Sequence, residues 1–429
     1  MAIEYGISKT RILVMTDIST IDAQHGEPDD TQSLIRLLMY SNMFTIEGFI
    51  VTYTSHGKTV FPDCLRHIIV KYGEVRANLL RFYSDFPDSQ YLLQKIYVGS
   101  ALPGLEQMIN GCDTEGSEKI IEIVDNSVEP LWILAWGGVT DLARAIRKAE
   151  NEKSQALFSS WLNKIRVYTI SDQYDDCGPW IRNKYPSLFY ITNYHAFRGM
   201  YRGGDSTFCN TAWVEHNISQ KGPLGKAYPV YKGGDIYSNF LGKIQGVKEG
   251  DTPSFLYLLT NGPGEKTCPE HGGWGGRFTQ KPGTNHYFDV SDNSSWDCGE
   301  LISISRFREV FQNDFASRMS WCLPDTEVQV YPEIIVTCNK NELKCGEKVI
   351  LSFQTDYTGD LSCQWRRYPD AGTYKGTLFI KELSKNDSEV ILARNPSMSG
   401  DIHIILTVST MGKNPLYLCK RIVLNVVNE

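Results

Sequence analysis

Through the first three quarters of the chain, short apolar runs alternate with segments of helical spacing, the pattern of a largely parallel sheet covered by helices. Residues 12–15 read as a buried strand. Ligand chemistry in such folds gathers where strands end, so the polar segment 17–30 is the first place to expect a site. From Thr31 the spacing predicts a helix with Leu34, Ile35, Leu37 and Leu38 on its inner face. Runs at 49–52, 131–135 and 165–170 repeat the strand pattern, and each gives way to a polar or Gly-rich stretch at 53–57, 137–141 and 171–178. Residues 193–248 are rich in Gly, Tyr and Asn without periodicity, which predicts long loops and insertions over the same face.

Near Pro324 the pattern changes. Strand-like runs at 328–337, 349–354, 361–366, 377–380, 390–393, 403–409 and 416–427 follow at close spacing with turn residues between them. That is the signature of an antiparallel β-sandwich of immunoglobulin-like size. The expected division is an α/β domain over 1–324 and an autonomous sandwich domain over 325–429.

Composition narrows the classes of partner. With 41% hydrophobic and 22% charged residues in 429, the chain is a folded protein of more than one unit. A net charge of -7 argues against nucleic acid, whose binders cluster Lys and Arg, and suits a small polar ligand or a cation. No apolar stretch is long enough to span a bilayer. The opening residues lack the pattern of a signal peptide, so the chain is expected in the cytoplasm, or outside the cell if a leader has been removed. Eleven cysteines, an odd count with no CxxC pair, give no zinc motif and are expected as reduced, buried thiols. A homo-oligomer is compatible with these numbers.

The candidate chemistry is acidic. Thr16-Asp17 follows the first strand directly, and Glu27-Pro28-Asp29-Asp30 opens the next helix. Adjacent carboxylates at a helix N-terminus gain from the macrodipole yet repel each other, and a hard cation resolves the conflict. Calcium takes six to eight oxygen ligands, of which Asp17 and Asp30 would supply two. Ordinary capping by Asp29 or Asp30 explains the pair equally well when it is taken alone. Two further segments, 136–142 (Trp-Gly-Gly-Val-Thr-Asp-Leu) and 250–256 (Gly-Asp-Thr-Pro-Ser-Phe-Leu, with Asp251 read as N-cap), also open helices after apolar runs. Together the three segments form a cradle of oxygen donors.

These runs, with Thr31-Gln32-Ser33-Leu34, the stretches at 171–173, 178–181, 272–278 and 312–315, and the tail motifs at 363–365 and 370–374, resemble the cellulose-binding Sde-type family. That family joins a nucleoside hydrolase-like domain to a C-terminal module. The resemblance implies a fold shared with inosine-uridine and related nucleoside hydrolases, which hold calcium at the C-terminal edge of the sheet and cleave an N-glycosidic bond with a metal-bound water. It implies Asp17, Asp30, the Thr140 carbonyl and Asp251 as calcium ligands, and Asp29 as a partner for a sugar hydroxyl. Asp17 doubles as candidate general base.

Eleven residues separate Asp17 from Asp29, more than in the nucleoside hydrolases, so Glu27 is the second contender for the base and Asp22 the third. At the strand end where the family's ribose-binding run is expected stand Asp172, Gln173, Asp175 and Asp176. Departure of a base or aglycone builds positive charge on the sugar, which a carboxylate stabilises. His271 and His56 are the candidate acids, since imidazole titrates near neutrality. If the leaving atom is a sugar oxygen, Asp175, Asp176 or Glu270 would serve. Trp136, Trp180 and Trp274 are expected near the pocket, Trp136 as core and Trp180 and Trp274 as stacking platforms, the last in a Gly-rich lid. The substrate-binding set is then Asp29, His56, Asp172, Gln173, Asp176, Trp180 and Trp274. An N-glycosyl hydrolase, a polysaccharide-binding protein without turnover and an O-glycoside hydrolase are the three readings left open.

Overall fold

The apolar run at 12–15 is the centre of β1 (Thr10–Thr16), and its side chains alternate as a doubly covered strand requires. Ile12 and Val14 join one apolar cluster while Leu13 and Met15 join another, and all four are fully buried. The computed structural model describes residues 9–20, 28–53, 59–233, 244–292, 299–344, 346–392 and 398–427. Glu27, His56 and the lesser candidates Asp22 and His25 lie outside these described residues.

After β1 come β2 (Phe44–Val51), β3 (Ile96–Val98), β4 (Leu131–Ala135), β5 (Ile165–Ile170), β6 (Phe189–Asn193), β7 (Phe278–Gln280) and β8 (His286–Asp289). They form one sheet in the order β3-β2-β1-β4-β5-β6-β8-β7, parallel except for β7. The chain winds outward in one direction from β1 to β3 and in the other from β4, so the order reverses between β1 and β4. At such a switch point the loops leaving the two strands diverge and open a crevice.

The tail folds as two packed sheets. One has the order β10-β16-β15-β12, from Glu342–Lys344, Tyr417–Val427, Gly400–Thr410 and Leu361–Arg367. The other has the order β13-β14-β11-β9, from Leu378–Glu382, Asp387–Leu392, Lys348–Gln354 and Ile335–Cys338. Val349, Leu351, Val390, Ile402, Ile404 and Leu424 fill the space between them. Pairing is antiparallel except between β10 and β16. Of the predicted run 328–337, only its last three residues join a strand, Ile335–Cys338.

The two parts share a core. Tyr368, Ile405, Leu416 and Cys419 of the sandwich belong to the same apolar cluster as Phe311, Phe315 and Trp274 of the α/β part. Asp314, fully buried on the helix Arg308–Ser320, accepts from the Tyr40 hydroxyl at 2.7 Å, the Tyr331 hydroxyl at 2.8 Å and the Tyr417 backbone N–H at 2.9 Å. Among the described residues no helix is long and apolar enough to cross a membrane. The nine described cysteines are free; Cys177, Cys209, Cys322 and Cys419 are buried, whereas Cys112 is exposed.

Candidate functional site

The C-terminal edge of β1 and the helix Asp29–Met39 face a third segment at 246–252, and the helix holds that segment in place. Its Gln32 amide donates to the Pro229 carbonyl at 2.7 Å and the Gly246 carbonyl at 3.0 Å, and its Oε1 accepts from the Lys248 backbone N–H at 2.6 Å. Arg36 Nε lies 2.6 Å from Glu249 Oε2, with both side chains fully buried. Thr252 bonds Glu249 at 2.9 Å and Ser33 at 3.1 Å. Asp251 is thereby fixed opposite the start of the helix.

The result is a group of three carboxylates. One oxygen each from Asp29, Asp30 and Asp251 lies within 4.8 Å of the others, with Asp30 and Asp251 buried. Thr16 donates its hydroxyl to Asp30 Oδ1, and Asp29 Oδ1 accepts from the Asp30 N–H at 3.2 Å. Neither helix start uses a side-chain cap: Pro28 and Thr252 occupy the cap positions. The capping alternative for Asp29, Asp30 and Asp251 is therefore set aside. Three ionised carboxylates so close repel by about 3 kcal/mol per pair at an effective dielectric of about 20, and a cation removes that cost. The donor set is all oxygen, the chemistry that suits calcium and not a soft metal.

Asp17 is not in that group. Its half-buried side chain lies beside Gly137, where an added Cβ would come within 2.9 Å of the Asp17 Cβ. At Gly138 a Cβ would fall 2.1 Å from the Tyr53 hydroxyl. The two glycines therefore let the loop after β4 press against the ends of β1 and β2 across the switch point. Burial first, then the neighbouring Asp175 and Asp17 charges, push the Tyr53 phenol far above its usual range, so it stays protonated beside the two carboxylates. Thr140 donates its hydroxyl to Asp175 Oδ2 at 2.7 Å. As the first residue of the helix Thr140–Glu152, it has its carbonyl directed along the helix axis. Tyr53 was missed in the sequence; the Gly137-Gly138 pair was its only signal.

Asp172 sits in a strained turn. Ser171, Asp172 and Gln173 have φ of 54°, 51° and 47°, the left-handed region, at about 1 kcal/mol or more apiece. The turn tucks the Asp172 carboxylate beneath the strand end, where it pairs with Arg182 and accepts from Thr169 at 2.8 Å and Tyr190 at 2.7 Å. It is a buried ion-pair member, which corrects its expected place as a substrate ligand. Gln173 donates to the Trp136 carbonyl at 2.8 Å and keeps an exposed edge.

Four other expectations are corrected. Trp274 is fully buried in the core and offers no face for stacking. The glycines around it serve packing: a Cβ on Gly275 would meet the Pro253 carbonyl at 2.4 Å, and one on Gly273 the Gly264 Cα at 2.8 Å. Asp176 accepts from the Leu105 N–H at 2.7 Å, and with Trp180 and Lys184 it lines a separate hollow of about 540 Å³. His271 is at the wrong end of the sheet. Lys266, in the same loop, bonds Thr10 at 3.0 Å, at the N-terminal end of β1, which lies roughly 20 Å from the carboxylates at ~3.3 Å per strand residue. Trp136 is core as expected, with its indole N–H on Ser254 at 2.8 Å.

A nucleoside hydrolase-like α/β sheet with acids at its switch point, packed on a β-sandwich, is the class that this geometry defines. The chain belongs to the family described as cellulose-binding Sde182, nucleoside hydrolase-like domain, which it matches over residues 11–278, and it also matches the cellulose-binding protein Sde0182 C-terminal domain over 351–426. It is similar to the solved structure of a nucleoside hydrolase-related hypothetical protein from Saccharophagus degradans, described as associated with carbohydrate metabolism. The TM-score is 0.76 and the identity 27%, over 98% of this chain and 100% of that one. A fainter likeness is to inosine-uridine preferring nucleoside hydrolase from Bacillus anthracis, with a TM-score of 0.31 and 13% identity over 74% of this chain and 100% of that one; it carries no argument here. No curated protein matches the sequence.

Proposed function

We propose that the chain is a calcium-dependent glycosyl hydrolase that cleaves an N-glycosidic or related bond at the C-terminal edge between β1 and β4. One observation carries the reading: Asp29 and Asp30 are brought within 4.8 Å of Asp251 by the buried clamp of Gln32, Ser33 and Arg36. Asp30 and Asp251 would hold the ion, and Asp29, which is only partly buried, would accept from a sugar hydroxyl. When bound, calcium would supply a Lewis-acidic centre for vicinal hydroxyls and for a water. Asp17 would take the proton from that water, and Glu27 is the other contender. His56, a few residues beyond the end of β2, is the acid to test, since His271 is remote.

A family described as cellulose-binding, and a Saccharophagus degradans relative associated with carbohydrate metabolism, favour a second reading, in which the same edge binds polysaccharide with little turnover. A screen of nucleosides and aryl glycosides, run with calcium and with a chelator, separates the two. Calcium-dependent release of base or aglycone supports hydrolysis. Binding of oligosaccharide without release across the whole panel overturns it.

A further inference from the structure

At the opposite edge of the sheet lies a cluster that the reading above does not use. We infer that Glu265, Cys268 and His271 form a zinc site at the junction between the α/β part and the sandwich. One ligand atom from each of the three lies within 4.8 Å of the others. Two successive turns produce this: the Cys268 N–H bonds the Glu265 carbonyl at 2.9 Å, and the His271 N–H bonds the Cys268 carbonyl at 3.0 Å. Residues at i, i+3 and i+6 are thus turned to one side of a single loop. The thiol, imidazole and carboxylate set is one that zinc takes and that hard cations do not. No CxxC signals it, so cysteine spacing alone missed it.

His271 carries the second observation. Its Nδ1 is buried and has no hydrogen-bond partner among the described residues, although Glu265 Oε2 is 3.5 Å away. Tetrahedral zinc with ordinary bond lengths sets its nitrogen and oxygen ligands about 3.4 Å apart, so that edge is already formed.

The surroundings give the site a role. The His271 ring stands edge-on to His403 of the sandwich, with centroids 4.7 Å apart. Arg421, also of the sandwich, donates to the Gly272 carbonyl at 2.7 Å, to the Pro263 carbonyl at 3.0 Å and to His403 Nδ1 at 2.8 Å. Zinc here would stiffen the loop that both sandwich residues grip. It would pin the junction of the two parts without touching the carboxylate edge.

The test uses the full chain, stripped with chelator and reconstituted with zinc or with cobalt. One equivalent of zinc retained after dialysis is expected, together with a thiolate-to-cobalt charge-transfer band. That band should be lost in Cys268→Ser and kept in Cys112→Ser, whose thiol is exposed elsewhere. His271→Gln, read by zinc stoichiometry, covers the case in which Cys268→Ser fails to fold, and should lower zinc affinity at least tenfold. Absence of the thiolate band in the wild-type chain, or equal zinc binding in His271→Gln, overturns the site. Calcium titration of the same samples is independent, because the two sites lie at opposite edges of the sheet.

Discussion

Replacing Glu249 by Gln tests the clamp that places Asp251. The substitution keeps the shape but leaves one acceptor oxygen where Glu249 offers two, to the Tyr228 hydroxyl at 2.6 Å and the Thr252 hydroxyl at 2.9 Å, and it removes the charge. Arg36 is fully buried, so its guanidinium would lose its carboxylate with no access to water. Breaking a buried pair in this way costs about 3–5 kcal/mol, against a whole-domain stability of roughly 5–15 kcal/mol. The Phe315 ring, its centroid 4.0 Å from the Arg36 guanidinium carbon, contributes about 2 kcal/mol in wild type and variant alike and so leaves the difference unchanged. Urea unfolding followed by tryptophan fluorescence should show the loss as a lower midpoint. Calcium affinity should fall at least tenfold as the 246–252 segment loosens. The double variant Arg36→Met, Glu249→Leu should recover much of the stability, because an apolar pair leaves no charge behind. A loss below ~1 kcal/mol in Glu249→Gln would refute the clamp as described.

Three further outcomes are expected. Gly138→Ala forces a Cβ to 2.1 Å from the Tyr53 hydroxyl and should cost about 1–3 kcal/mol by overpacking, with a lower calorimetric Tm; an unchanged Tm would mean that Tyr53 is free to swing aside. Burial raises the Asp289 carboxyl to about 7, so the folded state holds this proton more tightly than the unfolded chain does. Its contribution is full below pH ~4 and lost as pH rises through about 7, an effect worth ~2 kcal/mol after allowing for its partly exposed edge. Wild-type stability relative to Asp289→Asn should therefore fall between pH 5 and pH 8, and a flat difference in urea midpoints would exclude this titration. A fragment ending at residue 324 uncovers the shared core around Phe311 and Phe315 and strips Asp314 of Tyr331 and Tyr417, so it should aggregate or bind hydrophobic dye. A soluble fragment with the full-length Tm would instead make the sandwich a separable module.

The acids were legible because their signals are local. Apolar runs and helix starts place Asp29, Asp30 and Asp251 at strand ends without knowledge of the rest of the chain. Which strand end faces which is a property of sheet order, and there the reading failed. Lys266 ties the loop that carries His271 to Thr10 at the N-terminal end of β1, although the strand that follows, β7, starts beside Asp289 at the C-terminal edge, and no periodicity records that path. Trp274 was misread because glycine serves mobility and close packing alike, and what tells them apart is that a Cβ on Gly275 would meet the Pro253 carbonyl at 2.4 Å. The Asp172 turn was hidden because three non-glycine residues in left-handed conformation carry no signature in the sequence. The shared core escaped notice for a related reason: Ile405 and Leu416 look like any strand residues until the helix Arg308–Ser320 is seen to cover them.

Calorimetric titration of calcium into the wild-type chain and into Asp30→Asn tests the central claim most directly. Asp30 is buried, bonded to Thr16 and part of the three-carboxylate group, so its neutral replacement removes a ligand and one of the three charges. One calcium per chain is expected in the wild type, with affinity reduced at least a hundredfold in Asp30→Asn and little changed in Asp176→Asn. Equal affinity in all three proteins would place calcium elsewhere and contradict the proposed site.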